Sequence, residues 1–388
     1  MYDFDSLIDR TATEAVKWQC PESCRSTKYH DVIPMWIADL DMASPPEVVE
    51  AIRHRAEHPI YGYAAKPEAF HNAYIAWMRT RYGVTVDRSW LSFSPGIVPA
   101  IATAIRAFTK PGDGIAILPP VYHPFKHLID DNRRTTVEAP LLVRNGRYEL
   151  DLAALDAACV RSKMLVFCSP HNPIGRVWSA DELNAVADIA ERHDVIIISD
   201  EIHADLVYAP NKLVPMLGLS DTLQRRLVAC WAPSKTFNIA GLQASFITVP
   251  DASLRAAFDR ESAASGMGSP NCLATAAAIA AYEHGAPWLD ELLPYLRGNY
   301  DYLVSRLAAE APSLKVTPCE GTFLAWIDFR GAGLGGDVGP EVMERAGLWL
   351  DAGARFGTGG DGFARVNFGC PRSTMVKATD RLIEAFGQ

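Results

Sequence analysis

Lys235 lies in the stretch APSKTFNIAGLQ, residues 232–243. An apolar run at 227–231 precedes it. A proline, a serine and glycine or asparagine breaks surround it, the pattern of a strand that ends in an irregular turn. A lysine there either snorkels to the surface or, facing a cavity, serves as a desolvated nucleophile. Three other segments bear on that choice. In SPGIVPA (94–100) a Ser-Pro-Gly turn opens a helix at Ile97 and Val98, so free backbone amides and the positive helix end beside Gly96 could receive an anion. In HNPIG (171–175) the Asn172 amide could donate to a hydroxyl, or serve only the turn that Pro173 and Gly175 shape. In ISDEIHADL (198–206) Asp200 directly follows the run VIIIS. A carboxylate half removed from water needs a cation, such as a protonated ring nitrogen, unless it merely caps a helix.

Two further side chains suit such a site. Tyr122, in PPVYHPF after an apolar run, could stack on a flat ring or fill the core. Arg365 precedes VNF, and an arginine between apolar residues calls for a bidentate carboxylate partner, from the chain or from a substrate.

The elements that must position these residues alternate. Strand-like runs are expected at 91–93, 115–118, 135–138, 164–168, 195–199, 228–231 and 245–249, with helical patterns at 97–109, 151–160 and 180–193. MLVFC and VIIIS are apolar without alternation, as strands covered on both faces should be. The order predicts an α/β fold with a mostly parallel sheet between helices, and ligands beyond the strands' carboxyl ends. Helices are also expected at 44–58 and 67–81, and again at 251–264, 270–283, 287–310 and 373–386. Short strands should lie near 314–317, 323–328 and 363–368. Residues 1–33 have no clear period and read as a docking arm, and PMWIADLDM (34–42) reads as a chain threading a cleft. GAGLGG (331–336) lacks the spacing of a dinucleotide fingerprint and reads as a hinge or surface loop.

At 388 residues, 49% hydrophobic and 21% charged, the chain has the make-up of a two-domain globular enzyme. A net charge of −9 argues against nucleic acid or anionic membrane as a partner. No apolar run reaches a membrane span, and the acidic start MYDFDSLIDR is no secretory signal. Eight cysteines are scattered; Cys168 and Cys230 fall in strand-like runs as buried thiols. Cys20 and Cys24 lack the second pair a metal site needs, so no metal and a reducing cytoplasm are expected.

PMWIADLDM, YGYA, FSPGIVPA, PPVYHPF, HNPIGRVW, SDEIHADL, PSKTFNIAGLQ, EGTFLAWIDF and RVNFGCPRS, in that order and over nearly the whole chain, resemble the fold type I pyridoxal-phosphate enzymes of the aspartate aminotransferase superfamily. Within it they resemble the cystathionine β-lyase branch of carbon–sulfur lyases that includes the maltose-regulon modulator. The resemblance implies a seven-stranded sheet in a large cofactor domain at 46–285. A small domain would take 286–388 and share the arm at 1–45. It makes Lys235 the Schiff-base lysine, Asp200 the partner of the pyridine nitrogen, and Asn172 with Tyr208 the partners of the ring hydroxyl. Tyr122 would cover the ring, while Gly96, Ile97, Val98 and Ser234 would bind phosphate. Tyr63 would reach the phosphate of the neighbouring subunit, implying a homodimer with shared sites. Arg365 would clamp the substrate α-carboxylate, with Ala38 and Asp39 beside the substrate. His203 would lie at the cofactor, as an acid–base group, as support behind it, or simply packed. Gln243 stands where aminotransferases carry a phosphate-binding arginine, a loss that the lyase branch shares. The implied activity is β-elimination from cystathionine or another S-substituted cysteine. Transamination by the same residues, or a regulatory surface beside the catalysis, are the alternatives.

Overall fold

A computed structural model describes residues 2–20 and 26–387; Cys24 lies outside them. Seven strands form the central sheet in the order 91–94, 245–248, 227–231, 196–200, 164–168, 114–117, 135–138. All are parallel except Ser245–Thr248, which runs antiparallel to both of its neighbours. Because that strand alone is reversed, its amino end lies at the edge where the other six have their carboxyl ends. Gln243 and Ala244 are thereby delivered to the same edge as the turns after the parallel strands.

The unbroken apolar runs are explained by two covered faces. Val166, Cys168, Ile198, Val228 and Cys230 pack on one side with Ile101 and Ile105 of the helix Ile97–Phe108 and with Phe258. Leu165, Phe167, Ile197, Ala229 and Trp231 face the other side, against Leu183, Val186 and Ile189 of the helix Ala180–Arg192. That helix opens with a reciprocal capping box between Ser179 and Glu182. The helices Pro46–Glu57, Glu68–Tyr82 and Cys272–His284 pack beside the first strand's end of the sheet.

A second sheet is antiparallel, in the order 315–316, 324–328, 363–367, 351–352. The 25-residue helix Ala286–Glu310 and the helix Arg372–Phe386 cover it. Strands and helices expected from periodicity lie within a few residues of their anticipated bounds. The helix Pro124–Asp131, the hairpin 142–149 and the helix Gly339–Ala346 were not anticipated. The first begins at a proline and carries Lys126, His127, Asp130 and Asp131, with only Phe125 and Ile129 fully buried, too short a stripe to read as helix.

Residues 34–42 thread between the two sheets, as expected of a cleft-crossing chain. Asn367 Nδ2 donates to the carbonyls of Ile37 and Asp39, and Asn238 Nδ2 to those of Leu40 and Met42. The arm fastens the same segment: Lys17, almost wholly buried, reaches Asp41 Oδ2 at 2.6 Å and the Asp39 carbonyl at 2.9 Å. Arg10 bridges Asp39 and Asp41.

Candidate active site

The carboxyl edge of the large sheet, the threading segment and the small sheet enclose a cavity of about 420 Å³. Its walls carry Gly96, Ile97, Val98, Tyr122, Asn172, Asp200, His203, Ser234, Lys235, Ala38 and Arg365. These residues are distant in sequence; strand register brings them together. Cys168, Asp200 and Cys230 are direct neighbours across three strands, so the turns leaving those strands start level with one another. Asn172, His203 and Lys235 follow their strand ends within a few residues.

Asp200 is buried, and its Oδ1 accepts only the Ile202 amide at 3.1 Å. Burial pushes its carboxyl up to about 7, with the amide and the Lys235 charge opposing the shift. Such a group is short of a cation. Lys235 Nζ donates to the Ala38 carbonyl at 2.5 Å. Its pKa is lowered, chiefly by burial, with Asp39 and Asp200 raising it and Arg365 lowering it further. A lysine so placed is more readily deprotonated, as a nucleophile and base must be.

Arg365 sits on the strand Phe363–Asn367, buried, with its guanidinium over the Phe356 ring at 5.0 Å. Nη2 meets Asp351 Oδ2 at 2.7 Å and the Trp36 carbonyl at 2.6 Å; Nη1 donates to Asn172 Oδ1 at 2.9 Å. The Nε–H is buried without an acceptor. Since Arg365 occupies the Asn172 oxygen, the Asn172 NH2 group is left to donate elsewhere. His203 packs edge-on against Phe323 with Nδ1 unpartnered. Burial, then Lys235 and Arg365, hold it down to about 3, so it is a neutral ring. His171 Nε2, 3.0 Å from the Pro120 carbonyl, ties the Asn172 turn to the turn bearing Tyr122.

Three expected residues lie elsewhere. Tyr208 does not face the cavity: it is buried beside Phe368 and its hydroxyl donates to the Thr322 carbonyl at 2.5 Å. On that segment it is His203, three residues after Asp200, that lies on the cavity wall. Asp39 also turns away, its carboxylate bound by Arg10 in a neighbouring cavity, and only the Ala38 carbonyl reaches Lys235. Tyr63 is fully exposed and does not line its own chain's cavity.

Among the wall residues that sequence reasoning does not single out are Trp36, His123, Asp351 and Arg355. Trp36 stacks on Trp349 at 4.7 Å. Asp351 and Arg355 sit on a two-residue strand and a single 3-10 turn, which give no periodic signal.

The residues present fit a flat, phosphorylated ring with a cationic nitrogen and a hydroxyl. Asp200 lacks a counterion, Asn172 has a spare donor, and Ser234 and the helix start at Gly96 bring hydroxyl and amides to one end. Among the described residues no group of His, Cys, Asp and Glu could hold a metal ion, and no helix is long and apolar enough to cross a membrane.

Residues 30–382 match the family model for aminotransferase class I and II. Cystathionine beta-lyase PatB of Bacillus subtilis (strain 168) is 38% identical over 383 residues, 98% of each chain. The solved structure of cystalysin from Treponema denticola, which contains pyridoxal 5'-phosphate, is 33% identical with a TM-score of 0.96, covering 99% of this chain and 98% of that one. A pyridoxal-phosphate-bound C-S lyase from Staphylococcus hominis is 31% identical with a TM-score of 0.92, covering 100% and 99%.

Proposed function

The chain belongs to the aminotransferase class I and II family, and from that premise we propose a pyridoxal-phosphate-dependent carbon–sulfur β-lyase. Its substrates are L-cystathionine or related S-substituted cysteines, and its products a thiol, pyruvate and ammonia. Full-length similarity to PatB and to the Staphylococcus hominis lyase supports this reading. The observation that carries it in this chain is the cavity itself, whose wall brings together Lys235, Arg365 and an Asp200 with no ion-pair partner among the described residues.

When bound, the cofactor supplies an electron sink conjugated to the substrate's Cα. The chain's residues do the rest. Asp200 would hold a proton on the ring nitrogen, which would keep that sink strong. Asn172 and His203 would bind the ring hydroxyl, and Tyr122 would cover one ring face. Ser234 and the amides of Ile97 and Val98 receive the phosphate; Gln243 adds no charge there, so amides and helix end carry more of the task. Arg365, aligned by Asp351 and Asn172, takes the α-carboxylate. Lys235 Nζ removes the proton from Cα. The thiolate then leaves from Cβ, and water releases pyruvate and ammonia. We also propose the domain division at 46–285 and 286–388 with the arm at 1–45, and a homodimer in which Tyr63 completes the phosphate site of the adjoining subunit.

Incubation of the cofactor-loaded protein with L-cystathionine, without a keto acid, should release pyruvate and free thiol in equal amounts. Neither product, with conversion of the cofactor to its pyridoxamine form by an amino acid, would make the protein a transaminase. Arg365→Lys keeps the charge but loses the planar fork. Its kcat/KM for α-carboxylated substrates should fall about a hundredfold. An unchanged kcat/KM removes Arg365 as the carboxylate clamp.

A further inference from the structure

The cavity holds a cation that the lyase reading leaves unused. Arg355 lies on the turn Gly353–Phe356, directly after the edge strand Asp351–Ala352, and shares the cavity wall with Lys235 and Arg365. Where Arg365 is fully buried, the Arg355 side chain is 49% exposed. Its Nη1 meets Asp351 Oδ1 at 2.8 Å, and the remaining N–H groups have no acceptor among the described residues. Asp351, only 2% exposed, gives its other oxygen to Arg365. One carboxylate therefore serves two guanidiniums, leaving a surplus of positive charge at the mouth of the site.

The surroundings sharpen this. A small annex of about 50 Å³ opens beside Arg355, between Tyr122, His123, Lys126, His127 and Phe356. The annex's own carboxylate, Glu138, accepts from the Thr358 hydroxyl at 2.6 Å, not from Arg355. Lys126 is paired with Asp130. His123, its pKa lowered to about 3 by burial first and then by Arg355 and Arg365, stays a neutral hydrogen-bonding ring. The unpaired face of the Arg355 fork is thus the strongest anion receptor at this end of the cavity.

We propose that Arg355 is a specificity residue that receives a carboxylate carried by the leaving thiol. The enzyme would then prefer S-substituted cysteines whose leaving group bears a carboxylate, cystathionine among them, over thioethers without one. This rests on the lyase reading. With the α-carboxylate on Arg365, the second guanidinium lies one carboxylate away. A thioether chain leaving Cβ can bring its far carboxylate to the exposed side of that fork, while Asp351 keeps both arginines in place. Two charged groups of one substrate then meet two arginines, and a substrate with one such group meets only Arg365.

The test compares pyruvate release from L-cystathionine and from S-methyl-L-cysteine by cofactor-loaded wild type, Arg355→Met and Arg355→Lys. The ratio of kcat/KM for the two substrates should fall about tenfold or more in Arg355→Met, the loss expected for a charge-assisted hydrogen bond. Arg355→Lys should restore part of it. An equal fall with both substrates would mean that Arg355 only steadies Asp351 and Arg365, and would overturn the proposal, as would an unchanged ratio with unchanged rates. Wild-type protein that releases pyruvate from neither substrate would overturn the lyase reading itself, and the specificity role with it.

Discussion

Lys235→Ala should abolish the visible absorbance band of the bound cofactor and lower pyruvate release from cystathionine by about 10⁴-fold or more, since it removes nucleophile and base together. The side chain donates to the Ala38 carbonyl and shares the cavity wall with Asp200, and among the described residues no other amine lines the cavity. Borohydride treatment followed by mass analysis of peptides checks the assignment: the wild type should carry the reduced cofactor on Lys235, and the variant should carry none. A variant that keeps a reducible band would place the attachment elsewhere. Folding should survive, because the lysine's only hydrogen bond is to one carbonyl of the threading segment and Pro233 and Thr236 hold the turn independently.

Asp200→Asn should reduce kcat on the order of 10³-fold while leaving the protein folded and able to take up cofactor, because an amide cannot hold a proton on the ring nitrogen. Near-normal turnover would count against that role. The same substitution has a signature in the cofactor-free protein. Burial raises the Asp200 pKa in the folded chain to about 7, against about 3.9 for an unfolded aspartate. Between those values the folded state holds a proton that the unfolded state has lost. Stability therefore falls as pH rises from about 4 through 7. Glu201, also pushed up to about 7 by burial, contributes the same sign and remains in the variant. Thermal melts of the cofactor-free wild type and Asp200→Asn at pH 5 and pH 8 should differ in slope by the Asp200 share alone. With cofactor bound, a cation on the carboxylate lowers the folded pKa and removes that share.

Much of this site can be read in the sequence because its residues sit where apolar runs stop. Gly96, Tyr122, Asn172, Asp200 and Lys235 each follow such a run, and parallel strands bring all such stops to one edge. What happens beyond the first turn is another matter. From the strand end at Asp200 the chain brings His203 back onto the cavity wall, whereas Tyr208 has moved on to the Thr322 carbonyl. No spacing rule separates those two directions, and resemblance alone favoured the tyrosine. Asp351 and Arg355 were hidden for a different reason. Their segments are too short for any period, and their meaning comes only from Arg365, which lies across an antiparallel pairing. The partner of Asp39 is Arg10, 29 residues earlier in the sequence, and no spacing rule joins the two.

The threading segment ties the chemistry to the time course of synthesis. The Trp36 carbonyl accepts from Arg365 across 329 residues, and the Ala38 carbonyl from Lys235 across 197. Contacts of such span close only after the intervening chain exists, and they come late in folding. On the ribosome the large sheet can be complete, with Asp200 and Lys235 already side by side, while the strand bearing Arg365 is still unmade. An emerging chain thus acquires Asp200 and Lys235, the proposed anchor points of the cofactor, before it acquires Arg365, the proposed carboxylate clamp. The proposed site is whole only once the strand Phe363–Asn367 has paired.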